Sequence, residues 1–370
     1  MFSSKNMRKQ RGLTVLVRGA VALTLSGMMV LAVSAACAKQ PDAGYSRWSD
    51  VGAQAASEAA SMIRQQSPQF NIQDSIALTN AGYAEINGQS TMPALDGLSR
   101  VLKVSRGDHS LIEIHSSSAT PLWFAVCDQS SGNCAYLQVD PAALENEEVS
   151  LFSKAAVEQV NADHLFAHPD EYAAEFDARV FGGNEFRIVT IANALAAGVS
   201  SKVVRAFEFH DHYCPGVTSG ILMAEYIEQH FSGSLFIQSI QPWCKEDALQ
   251  AILNTTPGKK SYHLLFPAEE DIASWPDWAQ AASTIVYHKA SGSDIWHGTA
   301  LRFQFTGNTG CPPYNNSVLD KLCMDLWYLD KMDQPEDFVS IEREFTLPAD
   351  TDPKELARPG VDPVELINSL

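Results

Sequence analysis

Apolar and polar residues recur with two different periods along the chain, and the two periods predict a mixture of helices and strands. Helical spacing predicts helices over 49–65, 92–104, 145–161, 216–231, 244–254 and 316–329. Shorter alternating runs predict strands over 75–86, 110–115, 234–241 and 261–266, and hairpins over 121–139 and 284–296. Strands mixed with helices at short intervals predict an α/β or α+β fold.

The order of predicted elements in the first half recurs in the second half, which indicates a tandem duplication. In this register Asp96 occupies the place of Asp247. We therefore expect two similar domains of mixed sheet and helix, residues 39–188 and 189–370, which form a pseudo-dimer in a monomer or a homodimer. Chance similarity between two α/β halves is the alternative.

The stretch FEFHDHYCPG, residues 207–216, is the richest in side chains that bind soft metals. His210, His212 and Cys214 follow at i, i+2 and i+4, so an extended backbone would place them on one face of a strand. Such neighbours are about 7 Å apart, which is too far for all three to reach one ion on a flat strand. We expect Cys214 and one histidine to be ligands. The other histidine would support a ligand without binding the ion, or it would be catalytic.

A helix is predicted to begin directly after Cys214, because proline is favoured at the first helical position. Cys214 would then be the N-cap residue. A thiol at a helix N-terminus beside histidines is expected to have a lowered pKa, and its thiolate can bind a metal or attack an electrophile. The alternative is a buried thiol with no chemical role.

A second segment offers three further candidates. Cys244 begins a predicted helix, as Cys214 does, and is either a ligand, a core residue or half of a disulfide. Asp247 lies on the same helix face and can orient a ligand histidine or act as a base; otherwise it is an acidic residue favoured by the helix dipole. Lys259, in a PGKK turn, can hold an anionic substrate group or is a solvated lysine.

The sequence FHDHYCPGVTSG resembles FHGHxCPGxxxG, the signature of the E-type subunit family of formylmethanofuran dehydrogenase. The family's second motif, C-x-x-D-A-I-Q followed by T-G-C-T-x-G-K, is matched in part by residues 244–250 and 254–259. Three features depart from the pattern. Asp211 replaces the glycine between the histidines, Thr255 replaces an internal cysteine, and the zinc-ribbon cysteine pairs at the C-terminus are absent.

The resemblance implies an α/β domain with a metal-binding cleft built from both motifs, and it does not imply the methanogenic reaction. The ligands would be His210, His212, Cys214 and Cys244, and the rim of the cleft would contain Asp247 and Lys259. Cys and His ligands favour zinc as the transition-metal cofactor. Iron, nickel and copper fit the same ligand types.

The N-terminus has the features of a signal peptide over residues 1–38, with a basic stretch, an apolar run over 20–36 and an A-x-A site at 36–38. We therefore expect a periplasmic or secreted protein, with no further stretch long enough to span a membrane. Lipidation at Cys37 and an uncleaved anchor are the alternatives. The segment carries five basic residues and no acidic one, so its removal changes the net charge from -18 to -23. Such a charge disfavours binding to nucleic acid.

An oxidising compartment favours disulfides among the six remaining cysteines. Cys127 and Cys134 flank a hairpin turn and are predicted to pair. Cys311 and Cys323 are candidates for a second bridge. The other two cysteines, Cys214 and Cys244, are metal ligands or a disulfide.

Three functions remain open on these grounds. The first is an exported metal-binding protein, with an enzymatic action on a small anionic or carbonyl compound in which Cys214 and Asp247 are the candidate catalytic residues. The second is a non-catalytic carrier of a metal or metal cofactor. The third is a thiol–disulfide redox protein that uses Cys214 and Cys244.

Overall fold

Two five-stranded mixed sheets with helices packed against them form the framework of the protein. The computed structural model describes residues 43–146 and 148–370, so the predicted signal peptide and Cys37 lie outside the described residues. Residues Arg47–Leu370 form one compact unit, and residues 43–46 are the beginning of the first helix. Within the described ranges, no helix combines the length and the apolar character needed to cross a bilayer.

The first half contains two helices, α1 (Ala43–Gln66) and α2 (Ala94–Leu102). Its strands are β1 (Ser75–Thr79), β2 (Glu85–Ile86), β3 (Gln89–Ser90), β4 (Leu111–Glu113), β5 (Trp123–Asp128), β6 (Asn133–Val139) and β7 (Phe152–Gln159). Four helices follow, α3 (Ala162–Ala167), α4 (Pro169–Ala178), α5 (Glu185–Ala196) and α6 (Ser201–His210).

The second half contains six helices, α7 (Pro215–His230), α8 (Lys245–Leu253), α9 (Glu269–Ser274), α10 (Asp277–Ala281), α11 (Ser317–Leu329) and α12 (Pro363–Asn368). Its strands are β8 (Ser234–Ser239), β9 (Tyr262–Leu264), β10 (Thr284–Lys289), β11 (His297–Phe303) and β12 (Val339–Thr346).

The two large sheets have the same topology. The first has the strand order β4-β1-β5-β6-β7, and the second has the order β9-β8-β10-β11-β12. In each sheet the outermost pair at one end, β4 with β1 and β9 with β8, is parallel, and every other pair is antiparallel. The mixed α/β fold is therefore confirmed, and the shared topology agrees with the predicted duplication.

The helices that precede and follow the first strand of each sheet pack at matching glycines. A Cβ atom on Gly52 of α1 would lie 2.0 Å from the carbonyl oxygen of Ala94, at the start of α2. A Cβ atom on Gly220 of α7 would lie 2.4 Å from the carbonyl oxygen of Lys245, at the start of α8. Both positions require glycine because only a residue without Cβ allows the backbones to approach so closely. This match makes Ala94 in the first half the structural equivalent of Lys245 in the second half. The pair Asp96 and Asp247 has the same register.

The apolar cores are arranged in layers. One face of the first sheet packs on α1 and α2, and its other face packs on α3, α5 and α6. The latter core continues without interruption through Phe207 of α6 to Val217 of α7 and Ala248 of α8. One face of the second sheet covers α7 and α8, while its other face packs on α10 and α12. A single apolar core therefore connects the first sheet to the helices that carry the two cysteines at helix starts.

One predicted helix, over 145–161, is wrong. Strand β7 occupies most of this stretch and pairs antiparallel with β6 at the edge of the sheet. Its alanine, lysine and glutamate residues favour a helix locally, but the hydrogen bonds available at the sheet edge override that preference.

Both candidate disulfides are present in the structure. Cys127 and Cys134 are directly paired positions of the β5–β6 hairpin and are joined by a disulfide. Cys311 and Cys323 form the second bridge, which joins the loop between β11 and α11 to α11 itself. Cys214 and Cys244 are the free cysteines among the described residues.

Candidate metal centre

The expected strand over 207–216 is wrong, because its first part is the end of helix α6. Val203, Val204 and Phe207 are buried with the spacing of a helix face. His210 is the last residue of the helix, and Asp211 adopts a left-handed conformation with φ 75°. Such a conformation favours glycine, which is the residue in the FHGH motif, and aspartate is among the few others that tolerate it.

The turn at Asp211 reverses the chain and leads directly into helix α7. Cys214 is the N-cap residue of that helix, and Pro215 stands at its first position, as predicted. The carbonyl oxygen of Cys214 accepts the first helical hydrogen bond from Thr218 (2.9 Å). The side chain of Cys214 is buried.

Cys244 reaches the same place from helix α8, of which it is the N-cap residue. A Cβ atom on Gly216 would lie 2.7 Å from the Cβ atom of Cys244 and 3.1 Å from its sulfur. The absence of a side chain at Gly216 therefore allows the second sulfur to approach the start of α7.

Three ligand atoms converge at this point. One ring nitrogen of His210 and the sulfurs of Cys214 and Cys244 all lie within 4.8 Å of one another. Among the described residues, this is the one such group of three or more histidine, cysteine or acidic side chains. Residues 34 positions apart in the sequence thus form a compact His/Cys/Cys site.

The hydrogen bond at Nδ1 of His210 determines which nitrogen of the ring can bind a metal. Nδ1 donates to Oδ2 of Asp247 at 2.7 Å, which leaves Nε2 as the ligand atom. Nε2 is buried, and in the described part of the chain it has no hydrogen-bond partner. A buried imidazole nitrogen without a partner, next to two sulfurs, fits a bound transition-metal ion.

The three candidate ligands have pKa values that are shifted from their ordinary values. The neighbouring Cys214 thiol, followed by the His210 ring, lowers the pKa of Cys244 to about 4. Cys244 in turn, together with burial, raises the pKa of Cys214. Burial disfavours the charged form of His210, but interactions with Asp247 and Cys244 raise its pKa to about 9. The expectation of an easily ionised Cys214 is therefore wrong, and Cys244 is the sulfur that ionises first.

Comparison with protein families agrees with this geometry. Residues 209–277 match the family model FmdE, described as molybdenum formylmethanofuran dehydrogenase operon. This segment of the chain is similar to the FmdE family. The match includes the segments of both motifs and thus His210, Cys214 and Cys244. No curated protein matches the chain.

His212, in the segment that matches the FmdE model, lies beside the three ligand atoms and not among them. Its ring centroid is 4.4 Å from that of His210, and its Nδ1 donates to Oδ1 of Asp211 at 2.7 Å. Asp211 also pairs with Arg187 at 2.6 Å. Burial opposes ionisation of Asp211, but hydrogen bonds from His212 and Arg187 lower its pKa. The aspartate thus holds the second histidine in place.

Lys259 is not at the rim of the site, where it was predicted to lie. It lies in the turn Pro257–Lys259, and its ammonium group contacts the side chain of Asn254. It does not line the cleft beside the metal centre.

Lys245 is a buried residue of the site that sequence reasoning missed. Its ammonium group donates to Ser239 Oγ (3.2 Å) and to the carbonyl of Gln241 (2.9 Å), and it pairs with Glu246. It also lies 3.9 Å from the ring centroid of Trp243. Burial lowers the pKa of Lys245 to about 8. These contacts tie the turn before Cys244 to strand β8, and no motif in the sequence marks them.

An open cleft of about 590 Å³ lies beside the centre. One wall consists of residues 209–212 and Asp247, from the segment that matches the FmdE model. The other wall consists of residues 115–117, from the first half of the chain. His115 has no predicted role, because it lies in the half of the chain without the metal-binding motif.

Residues of the first half of the chain also fix the end of helix α6 in place. The buried carboxylate of Glu208 pairs with Arg106 (2.9 Å) and accepts a hydrogen bond from the backbone N–H of Glu113 (3.1 Å). The backbone N–H of His115 donates to the carbonyl of Glu208 (3.0 Å). These contacts fix the helix two residues before His210.

Proposed function

We propose that the protein is an exported metalloprotein whose transition-metal centre is held by His210, Cys214 and Cys244. The convergence of three ligand atoms within 4.8 Å supports this proposal. Zinc is the proposed metal, because one imidazole and two thiolates fill three of its four tetrahedral positions. An open fourth position is typical of catalytic zinc sites.

Export is proposed from the sequence of residues 1–38 and from the disulfides. Bridges such as Cys127–Cys134 and Cys311–Cys323 persist in the periplasm or outside the cell, and they are rare in the cytosol.

The surrounding residues suggest an enzyme that acts on a carbonyl compound. A bound zinc ion would supply Lewis-acid polarisation of the carbonyl oxygen. Asp247 would orient His210 through Nδ1, and His212, whose Nδ1 is engaged by Asp211, would accept a proton at Nε2. The burial of Cys214 favours a role as ligand over one as nucleophile. The cleft beside the centre favours an enzyme over a carrier.

A thiol–disulfide redox protein is the second candidate. The proximity of the Cys214 and Cys244 sulfurs and the lowered pKa of Cys244 favour it. In that case the two thiols would be lost together on mild oxidation and recovered with a reductant.

Elemental analysis combined with thiol counting on the mature protein tests the first proposal. We expect about one zinc ion per chain, and two free thiols after denaturation in a chelator. Cys214→Ala and Cys244→Ala should lose the metal. The control variant His288→Ala, on strand β10, should retain it.

Two results would contradict the metal centre. One is wild-type protein without stoichiometric metal whose two thiols form a reversible disulfide, which would favour the redox function. The other is an unchanged metal content in Cys214→Ala.

A further inference from the structure

The cleft beside the metal centre receives a fixed imidazole from the first half of the chain. The Nδ1 atom of His115 donates to the carbonyl of Phe209 at 3.2 Å. The two rings also stack, with centroids 5.5 Å apart and planes inclined by 6°. His115 is thus held by the segment that carries the ligand histidine, although it belongs to the half of the chain without cysteine ligands.

Two of the three histidines that line the cleft, His115 and His212, each present a lone pair at Nε2. The carbonyl of Phe209 and the carboxylate of Asp211 can only accept, so Nδ1 carries the hydrogen in His115 and in His212. In the neutral ring, Nε2 is then a hydrogen-bond acceptor. No protein donor reaches either Nε2 atom within residues 43–146 and 148–370.

Asp247 and Ser117 add one acceptor and one donor to the cleft. Asp247 uses Oδ2 for His210, and no donor in the described residues reaches its Oδ1. The Ser117 oxygen accepts from the backbone N–H of Ala119 at 3.3 Å, and its hydroxyl hydrogen has no described protein acceptor. The cleft surface therefore combines several acceptors with a hydroxyl donor.

The charges around the cleft do not favour an anion. The two thiolates of Cys214 and Cys244 would balance a divalent cation, and the ligating histidine would be neutral. Asp211 is paired with Arg187, whereas Asp247 contributes an unbalanced negative charge. Among the described residues, no lysine or arginine lines the cleft. An anionic ligand would thus meet a like charge without a cationic partner.

We propose that this cleft binds a small, uncharged ligand that both donates and accepts hydrogen bonds, a primary amide being the simplest class, and that it discriminates against carboxylates. The two N–H groups of the amide would donate to two of the three acceptors, Asp247 and the imidazoles of His115 and His212. Ser117 would donate to its carbonyl oxygen. The proposal deepens the proposed function and rests on it, because the charge balance includes a divalent cation on the two sulfurs.

Acetamide and acetate are matched probes, since they have the same shape and differ in charge and donors. Both would be titrated into the zinc-loaded full chain at pH 7.5 and followed by ligand-observed NMR, with zinc measured on the same sample. We expect a Kd at least about tenfold lower for acetamide than for acetate. His115→Ala should weaken acetamide binding about three- to tenfold without loss of zinc. The control His109→Ala, whose ring contacts Ser201 (3.0 Å) and does not line the cleft, should bind both probes as the wild type does.

The possible outcomes distinguish a failure of the proposed cleft from a failure of the proposed metal centre. Zinc-loaded protein that binds acetate as tightly as acetamide, that binds neither probe, or that keeps its acetamide affinity in His115→Ala would overturn the assignment of the cleft. A chain that cannot be loaded with zinc but still prefers acetamide would overturn the metal centre and support the cleft.

Discussion

At the scale of single residues, the site depends on two positions where backbone geometry restricts the choice of side chain. Asp211 ends α6 in a left-handed conformation and also anchors His212 through its carboxylate. Gly216 leaves room for Cys244. The first position shows how a departure from the FHGH motif retains the turn and adds a hydrogen bond.

Gly216→Ala should displace Cys244 and weaken zinc binding by about ten- to a hundredfold, the range found when residues that support metal ligands are changed. The cause is steric, because the new Cβ would lie 2.7 Å from the Cβ atom of Cys244. Chelator competition measures the affinity. Gly307→Ala is the matched control, since a Cβ there would meet no atom within 4 Å. Equal affinities in the two variants would refute the steric explanation.

Zinc binding should release about two protons between about pH 5 and pH 8. Above pH 5 Cys244 is already ionised, since its pKa is lowered to about 4. His210, with its pKa raised to about 9, and Cys214 still carry protons that binding must displace. The affinity should therefore rise about a hundredfold per pH unit in this range. His212→Ala should release the same number of protons, because its ring is not among the three ligand atoms.

Calorimetry in buffers of different ionisation enthalpy counts the released protons. Release of fewer than one proton per zinc ion at pH 7 would contradict the assigned protonation of His210 and Cys214.

At the scale of secondary structure, the site consists of three helix ends. The C-terminus of α6 supplies His210, and the N-terminal caps of α7 and α8 supply the two sulfurs. Helix ends have backbone groups without partners in the helix. At the end of α6, the carbonyls of Glu208 and Phe209 accept hydrogen bonds from the backbone N–H and the ring of His115, which follows β4.

Glu208→Ala should lower the free energy of unfolding by about 1–3 kcal/mol, because it leaves the N–H of Glu113 and the guanidinium of Arg106 without their buried acceptor. Denaturant titration measures this loss. Glu228→Ala is the control, since it removes a partly exposed partner of Lys202 and should cost about 1 kcal/mol or less. A smaller loss for Glu208→Ala than for the control would show that α6 does not depend on this contact.

The sequence allowed the two helix caps to be predicted, since cysteine followed by proline or preceded by Pro-Trp indicates a helix start in local terms. It did not reveal α6. The alternation of His210, His212 and Cys214 suggested a strand. In the structure the segment up to His210 is a helix, because Val203 and Phe207 are buried on one helix face. Ligand spacing within a short motif does not distinguish a strand from a helix end followed by a turn.

At the scale of the whole molecule, the repeated topology was predictable because the order of helices and strands is visible in the hydrophobic pattern. The cleft was not predictable, since His115 and Asp247 lie 132 positions apart and no local pattern connects them. The contacts of Glu208 with Arg106 and Glu113 likewise require three-dimensional proximity. Residues that meet across the two halves are thus the part of the site that local sequence reasoning misses.

The continuous core between the first sheet and the cysteine-bearing helices has a practical consequence. A recombinant fragment that began near residue 189 would expose Val203, Phe207 and Val217 to solvent. It would also lose Arg106, the ion-pair partner of the buried Glu208. The half of the protein without free thiols therefore covers an apolar surface of the other half, and we expect soluble expression of the motif-bearing segment to require both.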